Sequence, residues 1–141
     1  MAKKEIITAD FAEDVFLLAL ASQAKDYFIA FQLNSLFNFK LEKKDDIEFE
    51  LKKKGRTVLF SHYVFENEDE QIRVELFSNK YQGEFLIPEI KLADFWLLIT
   101  GIFSTQQKNE VLSALKVSNH FQTCKEVEAT TLKSKQHLLF Y

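Results

Sequence analysis

The sequence predicts one α+β domain in two layers, with a mostly antiparallel sheet carrying two main helices. Three observations lead there. The middle of the chain alternates apolar and charged residues at the period of a half-buried strand, as in Ile47-Glu48-Phe49-Glu50-Leu51. Two continuous apolar runs, residues 15–21 and 94–100, each precede a stretch with helical spacing and then a further strand, giving two β-α-β units around a β-meander. With 141 residues, 47% of them hydrophobic and 28% charged, the chain has the size and balance of a single globular domain, residues 1–141.

Residues 1–13 form a polar lead-in with a short strand at Ile6-Ile7. Val15 to Ala21 reads as a buried strand, and Ser22 is placed to cap a helix running to about Asn38. Asp26 then falls in the first turn, where the helix dipole favours a carboxylate. At 100° per residue this helix shows two apolar stripes. Ile29, Leu33, Leu36 and Phe37 form one; Ala24, Tyr27, Phe28 and Phe31 form the other. One sheet needs one stripe, so the second must meet another part of the chain, such as the carboxyl-terminal segment, or a partner subunit.

The meander follows. Residues 47–51 make its first strand, and Lys53-Lys54-Gly55-Arg56 a turn. Residues 58–65 are apolar on both faces and predict one central strand. An acidic turn at residues 66–70 leads to Ile72, Val74 and Leu76, which alternate with Arg73 and Glu75. Phe85-Leu86-Ile87 is a short strand stopped by Pro88, the only proline. Residues 94–100 form the next strand, released by Gly101. Ser104 and Gln107 then make a capping box for a helix presenting Val111, Leu112 and Leu115, and residues 121–127 form the last strand.

The bulk numbers exclude some functions. A net charge of −3 provides no global attraction to nucleic acid or anionic membrane. No apolar run approaches membrane-spanning length. The single cysteine, Cys124, excludes an internal disulfide and suits a reducing, cytoplasmic setting. Fifteen phenylalanines predict a Phe-rich core. No glycine-rich phosphate loop opens a helix, and His62, His120 and His137 show no metal-ligand spacing, so neither cofactor nor metal is expected. His120 and Cys124, four apart, share a face if both lie in a strand. Seven basic residues between Lys40 and Arg56 are interleaved with acids, and Phe49 and Phe60 could offer stacking there. The sheet core is the better home for those rings.

Glu89 and Asp94 are the best candidates for a reacting or ligand-binding pair, because they flank one proline turn; acid-base work would need their environments to separate their pKa values. The structural alternative has Lys133 and Lys135 clamping this acidic turn. Leu86-Ile87-Pro88-Glu89, with Asp94-Phe95 beyond it and a Leu-Leu-Ile run ending at Gly101, resembles the IPExxxVDY family of small Bacteroidota proteins. Ala93-Asp94-Phe95 stands where the family name has Val-Asp-Tyr. Asp26-Tyr27 leading into Leu33-Asn34, and the ending Leu132-Lys133-Ser134-Lys135 with Leu138-Leu139-Phe140, share the resemblance. It implies no activity, cofactor or partner. The phenylalanine at position 95 argues against a tyrosine hydroxyl acting as acid or base there.

The expectation is a non-enzymatic cytoplasmic domain that works through protein contacts, as a homodimer or with another protein. Small-molecule binding or catalysis beside Glu89 and Asp94 is the alternative, and nucleic-acid binding over the Lys40–Arg56 cluster a more distant one.

Overall fold

A computed structural model describes residues 15–139. The predicted strand at Ile6-Ile7 lies outside them. The fold is α+β, with two main helices on a six-stranded antiparallel sheet. In chain order the elements are β1 (Val15–Ala21), α1 (Asp26–Phe37), β2 (Glu42–Lys43), β3 (Ile47–Leu51), β4 (Arg56–Phe60), β5 (His62–Asn67) and β6 (Ile72–Ser78). Then come β7 (Lys80–Tyr81), β8 (Glu84–Phe85), β9 (Phe95–Gly101), α2 (Thr105–Val117), β10 (Thr123–Val127) and a last short helix, α3 (Gln136–Leu139).

The main sheet has the order β10-β1-β9-β6-β5-β2. Strand β1 pairs antiparallel with both β9 and β10, so those two run parallel, and α2 joins them across β1. Strands β10, β1, β9 and β6 thus carry the split β-α-β connectivity, with β5 and β2 extending the sheet. The two apolar runs of the sequence are the neighbours β1 and β9, with Leu17 and Leu18 opposite Leu98 and Leu97.

Both faces of the sheet are covered. On one, Phe16, Leu18, Leu20, Leu76, Leu97 and Ile99 pack under Ile29, Ala30 and Leu33 of α1 and Leu115 of α2. Ile29 and Leu33 are fully buried, each contributing roughly 1.5–3 kcal/mol. On the other, Leu17, Phe77, Trp96 and Leu98 meet Val58 and Phe60 of the β3–β4 hairpin, Leu86 and Ile87 of the proline turn, and Leu132 and Leu138 of the carboxyl-terminal segment. That segment therefore lies across the sheet from α1 and does not cover its second stripe.

Three local expectations need correction. Helix α1 starts at Asp26 with Lys25 in the capping position and no side-chain cap; Ser22 instead accepts a hydrogen bond from the Ala24 amide two residues on. Asp26 does occupy the first turn, where its carboxylate accepts a hydrogen bond from the Tyr63 hydroxyl at 3.2 Å. Burial and the neighbouring Asp26 charge raise the Tyr63 pKa to about 12. The stretch expected to be one central strand, residues 58–65, is two. It breaks at Ser61, whose backbone amide donates to Ser78 Oγ at 2.8 Å, and β4 leaves the main sheet to pair with β3 over its far face. Finally, Leu86 and Ile87 follow a two-residue ladder, β7–β8, and are not themselves in a strand. The capping box at Ser104 and Gln107 forms as predicted, with both reciprocal bonds present.

Candidate functional site

The proline turn is organised by Asn79, which no motif in the sequence singles out. It is completely buried between β6 and β7. Its side-chain amide donates to the carbonyls of Ile90 (3.1 Å) and Ala93 (2.8 Å), and its side-chain oxygen accepts from the Ile87 amide at 2.8 Å. Its backbone amide donates to the Asp94 carbonyl, and its carbonyl accepts from the Leu86 amide, both at 2.9 Å. A short loop without a ladder of its own must satisfy its buried amides and carbonyls individually. Asn79 does this for the segment from Leu86 to Asp94, so Leu86, Ile87 and Ala93 can be buried in the far-face core.

Glu89 and Asp94 leave this turn towards different partners. Glu89 accepts two hydrogen bonds from Ser134, from the amide at 2.7 Å and the hydroxyl at 2.8 Å. The expected lysine clamp is therefore made by the serine between the lysines, while the side chains of Lys133 and Lys135 lie exposed. A second tether joins the same elements, the ring nitrogen Nδ1 of His137 lying 2.8 Å from the Leu86 carbonyl oxygen. Asp94 faces the start of the chain instead. One carboxylate oxygen accepts from the Ser22 amide at 2.8 Å, and the other is 2.6 Å from Lys80 Nζ. Asp94 borders an open polar cavity of about 560 Å³, together with Lys25, Asp26, Lys43 and Lys80, and Glu89 has no part in it. The two carboxylates thus tie together three distant parts of the chain rather than converging on one ligand.

Desolvation pushes the Glu89 carboxyl up, but the bonds from Ser134 together with the Glu89 and Lys133 backbone amides outweigh it and hold the group below the usual carboxylate range. A carboxyl with a depressed folded-state pKa stabilises the fold above its unfolded pKa, and that contribution disappears as pH falls through the folded value. Glu89→Gln and Ser134→Ala are therefore expected to show a coupling of about 1 kcal/mol in a denaturation double-mutant cycle near neutral pH. The coupling should vanish in acid below the carboxylate range. Additive losses at neutral pH would show that the contact does not anchor the carboxyl-terminal segment.

The other candidate surface is the outer face of α1. Tyr27 is 67% and Phe31 63% exposed, with Phe28 at 36% and Ala24 partly buried. The first stripe divides as well, Leu33 being buried and Leu36 exposed. The Phe28 ring meets the His120 ring edge-on, with centroids 5.3 Å apart, which brings the stripe beside the end of α2, where Val117 is 82% exposed.

No protein-family model, curated protein or solved structure matches this chain.

The remaining sequence candidates have structural surroundings. His120 precedes β10 instead of lying in it, so it does not share a strand face with Cys124. Cys124 packs against the helix-side core, where burial raises its thiol pKa to about 11 and keeps it protonated and weakly nucleophilic near neutral pH. In the Lys40–Arg56 cluster, Lys43 pairs with Asp46, Lys44 with Glu42, and Lys54 and Arg56 both with Glu84. Phe49 and Phe60 pack on each other and against the far face, with Phe49 also 4.6 Å from the His137 ring. Glu75 is 4% exposed despite its place in an alternating strand, with His62 at 2.8 Å and Arg73 at 3.1 Å. No helix among the described residues is long and apolar enough to cross a membrane.

Proposed function

We propose that this chain is a non-enzymatic domain working through protein contacts, and that it pairs with a second copy of itself through the outer stripe of α1. The observation that carries this is the exposure of Tyr27 and Phe31, with Phe28 beside them, on a helix whose opposite side buries Ile29, Ala30 and Leu33. Rings in this position lose free energy to water unless something covers them, and aromatic side chains dominate protein interfaces. Three neutral aromatic residues in a row make a patch that can meet its own copy across a twofold axis without opposing like charges. Ala24, expected in this stripe, lies before the helix and packs against the helix-side core, so the exposed stripe is Tyr27, Phe28 and Phe31. A cytoplasmic location accords with the protonated, half-buried Cys124 thiol and the net charge of −3.

The alternative of ligand binding or catalysis beside Glu89 and Asp94 draws less support, because both carboxylates are occupied in holding the turn. Membership of the IPExxxVDY family belongs to this proposal too. On this reading, Ile87 is buried in the core, while Glu89 and Asp94 tether distant segments; these are architectural reasons for the motif.

Light scattering tests the pairing. The wild-type chain should show twice its 16.5 kDa mass at micromolar concentration, and Tyr27→Glu with Phe31→Glu should return it to the monomer without unfolding it. A wild-type chain that stays monomeric up to the highest attainable concentration overturns the homodimer.

A further inference from the structure

We propose that the adjoining tips of the β3–β4 and β7–β8 hairpins form a basic surface that docks onto an anionic lipid bilayer. The β3–β4 hairpin covers the far face of the sheet, across it from α1, so this surface is separate from the aromatic stripe. Contacts between the two tips fix the arrangement. Arg56, closing the first turn, donates to the Gln82 carbonyl of the second at 2.8 Å. The Glu84 carboxylate accepts from Arg56 at 2.9 Å and from Lys54 at 2.7 Å, so two cations share one acid. One residue on, the Phe85 ring has the ammonium of Lys80 6.0 Å and that of Lys91 5.7 Å from its centroid. Lys80 is paired with Asp94, whereas Lys52, Lys53 and Lys91 are exposed and form no ion pair among the described residues.

Three observations select the partner. The first is charge. Lys52, Lys53, Lys54, Arg56, Lys80 and Lys91 are answered by Glu84, Asp94 and, on the neighbouring rung of β3, Glu50. Glu89 on the proline turn is offset by Lys133 and Lys135, on either side of its partner Ser134. The tips therefore carry a positive excess on a chain whose net charge is −3. The attraction is local, acting within a Debye length of about 8 Å at physiological salt, which is the range over which surface lysines hold a protein to an anionic leaflet.

The second is shape. A Cβ added at Gly55 or at Gly83 would meet nothing within 4 Å, and Lys52, Lys53, Lys54 and Gln82 are exposed around them. Both tips thus project into open solvent side by side, an end that a planar membrane can meet and that offers no groove to a peptide. The third is what the surface lacks and what it adds. Two ammoniums flank the Phe85 ring, and the Arg56 guanidinium is engaged by Glu84 and Gln82, which leaves neither a stacking platform nor a free fork for nucleic acid. Leu92, next to Lys91, is 86% exposed, and the acyl boundary of a bilayer takes up such a side chain.

Vesicle sedimentation with the full chain tests the docking. The chain should sediment with vesicles of equal parts phosphatidylcholine and phosphatidylglycerol at low salt, stay in solution with phosphatidylcholine alone, and be released as salt rises. Lys52→Glu with Lys53→Glu should lower partitioning about tenfold or more, and Lys91→Glu alone severalfold. Lys40→Glu with Lys125→Glu changes the net charge by as much as the first pair, at exposed lysines away from the tips, and should leave partitioning unchanged. An unaltered chain that does not sediment, or equal losses in the two double variants, overturns the proposal. Retention on single-stranded DNA at a salt concentration that abolishes vesicle binding would assign the surface to nucleic acid and overturn it as well.

Discussion

Asn79→Leu is expected to lower the unfolding free energy by roughly 3–5 kcal/mol, since leucine keeps the branch of asparagine at Cγ but none of its polar atoms. The reason lies in the partners left behind. The Ile87 amide and the Ile90 and Ala93 carbonyls all bond to this one side chain, and two of the three contacts are buried. Each buried polar group stripped of its partner costs about 1–3 kcal/mol. The loss should reach beyond the turn, since Leu86 and Ile87 lie against the core that Leu132 and Leu138 complete. Denaturant titration measures the total, and hydrogen exchange should show amides of residues 86–94 and 128–138 opening together. A loss below about 1 kcal/mol would mean that the turn holds its shape without Asn79.

Gly101→Ala should be comparably damaging, with a loss of about 3 kcal/mol or more, and Gly101→Val worse. Two effects combine. The backbone there has φ +132°, a conformation that side chains other than glycine rarely adopt. A Cβ would also lie 2.1 Å from the Gln71 carbonyl oxygen and 2.9 Å from the Ile72 Cα. Both are backbone atoms at the start of β6, held by the Ile102 amide donating to the same Gln71 carbonyl at 3.2 Å. They cannot move aside as a flexible side-chain tip would. Gly83 makes an internal control: its φ is also positive, but nothing lies within 4 Å of a Cβ built there. Gly83→Ala should therefore lose only the conformational part, about 1 kcal/mol. Equal losses at the two positions would refute the steric account.

The sequence made some of this legible and hid the rest for physical reasons. The two continuous apolar runs marked strands β1 and β9, because strands buried on both faces need continuous apolar sequence. The box at Ser104 and Gln107 fixed the start of α2, because it is closed by local bonds. Ser22 failed as a cap because Asp94 takes its amide and the Ala24 amide takes its hydroxyl, so the helix begins only after Lys25. Glu75 looked solvent-facing because alternation normally implies one wet face; the β3–β4 hairpin covers that face here, and the carboxylate meets His62 and Arg73. Asn79 was invisible, since all its bonds reach eight or more residues along the chain or run through its backbone. At the candidate site, the sequence located the turn and the exposed aromatic stripe. It misassigned the groups that answer Glu89, because charge suggested lysines where geometry chose a serine.

The placement of β1 has a consequence for how the molecule comes to be. Leu18 faces Leu97 on one side and Glu126 on the other, so the first strand described is flanked by two that leave the ribosome about eighty and more residues later. Until those arrive, the segment Val-Phe-Leu-Leu-Ala-Leu-Ala is unpaired on both edges and carries no charge to deter wrong partners. Pairings this remote in sequence form slowly, on the millisecond-to-second scale of non-local β topologies. The newborn chain therefore spends its most vulnerable interval holding open the slot at the centre of its own sheet.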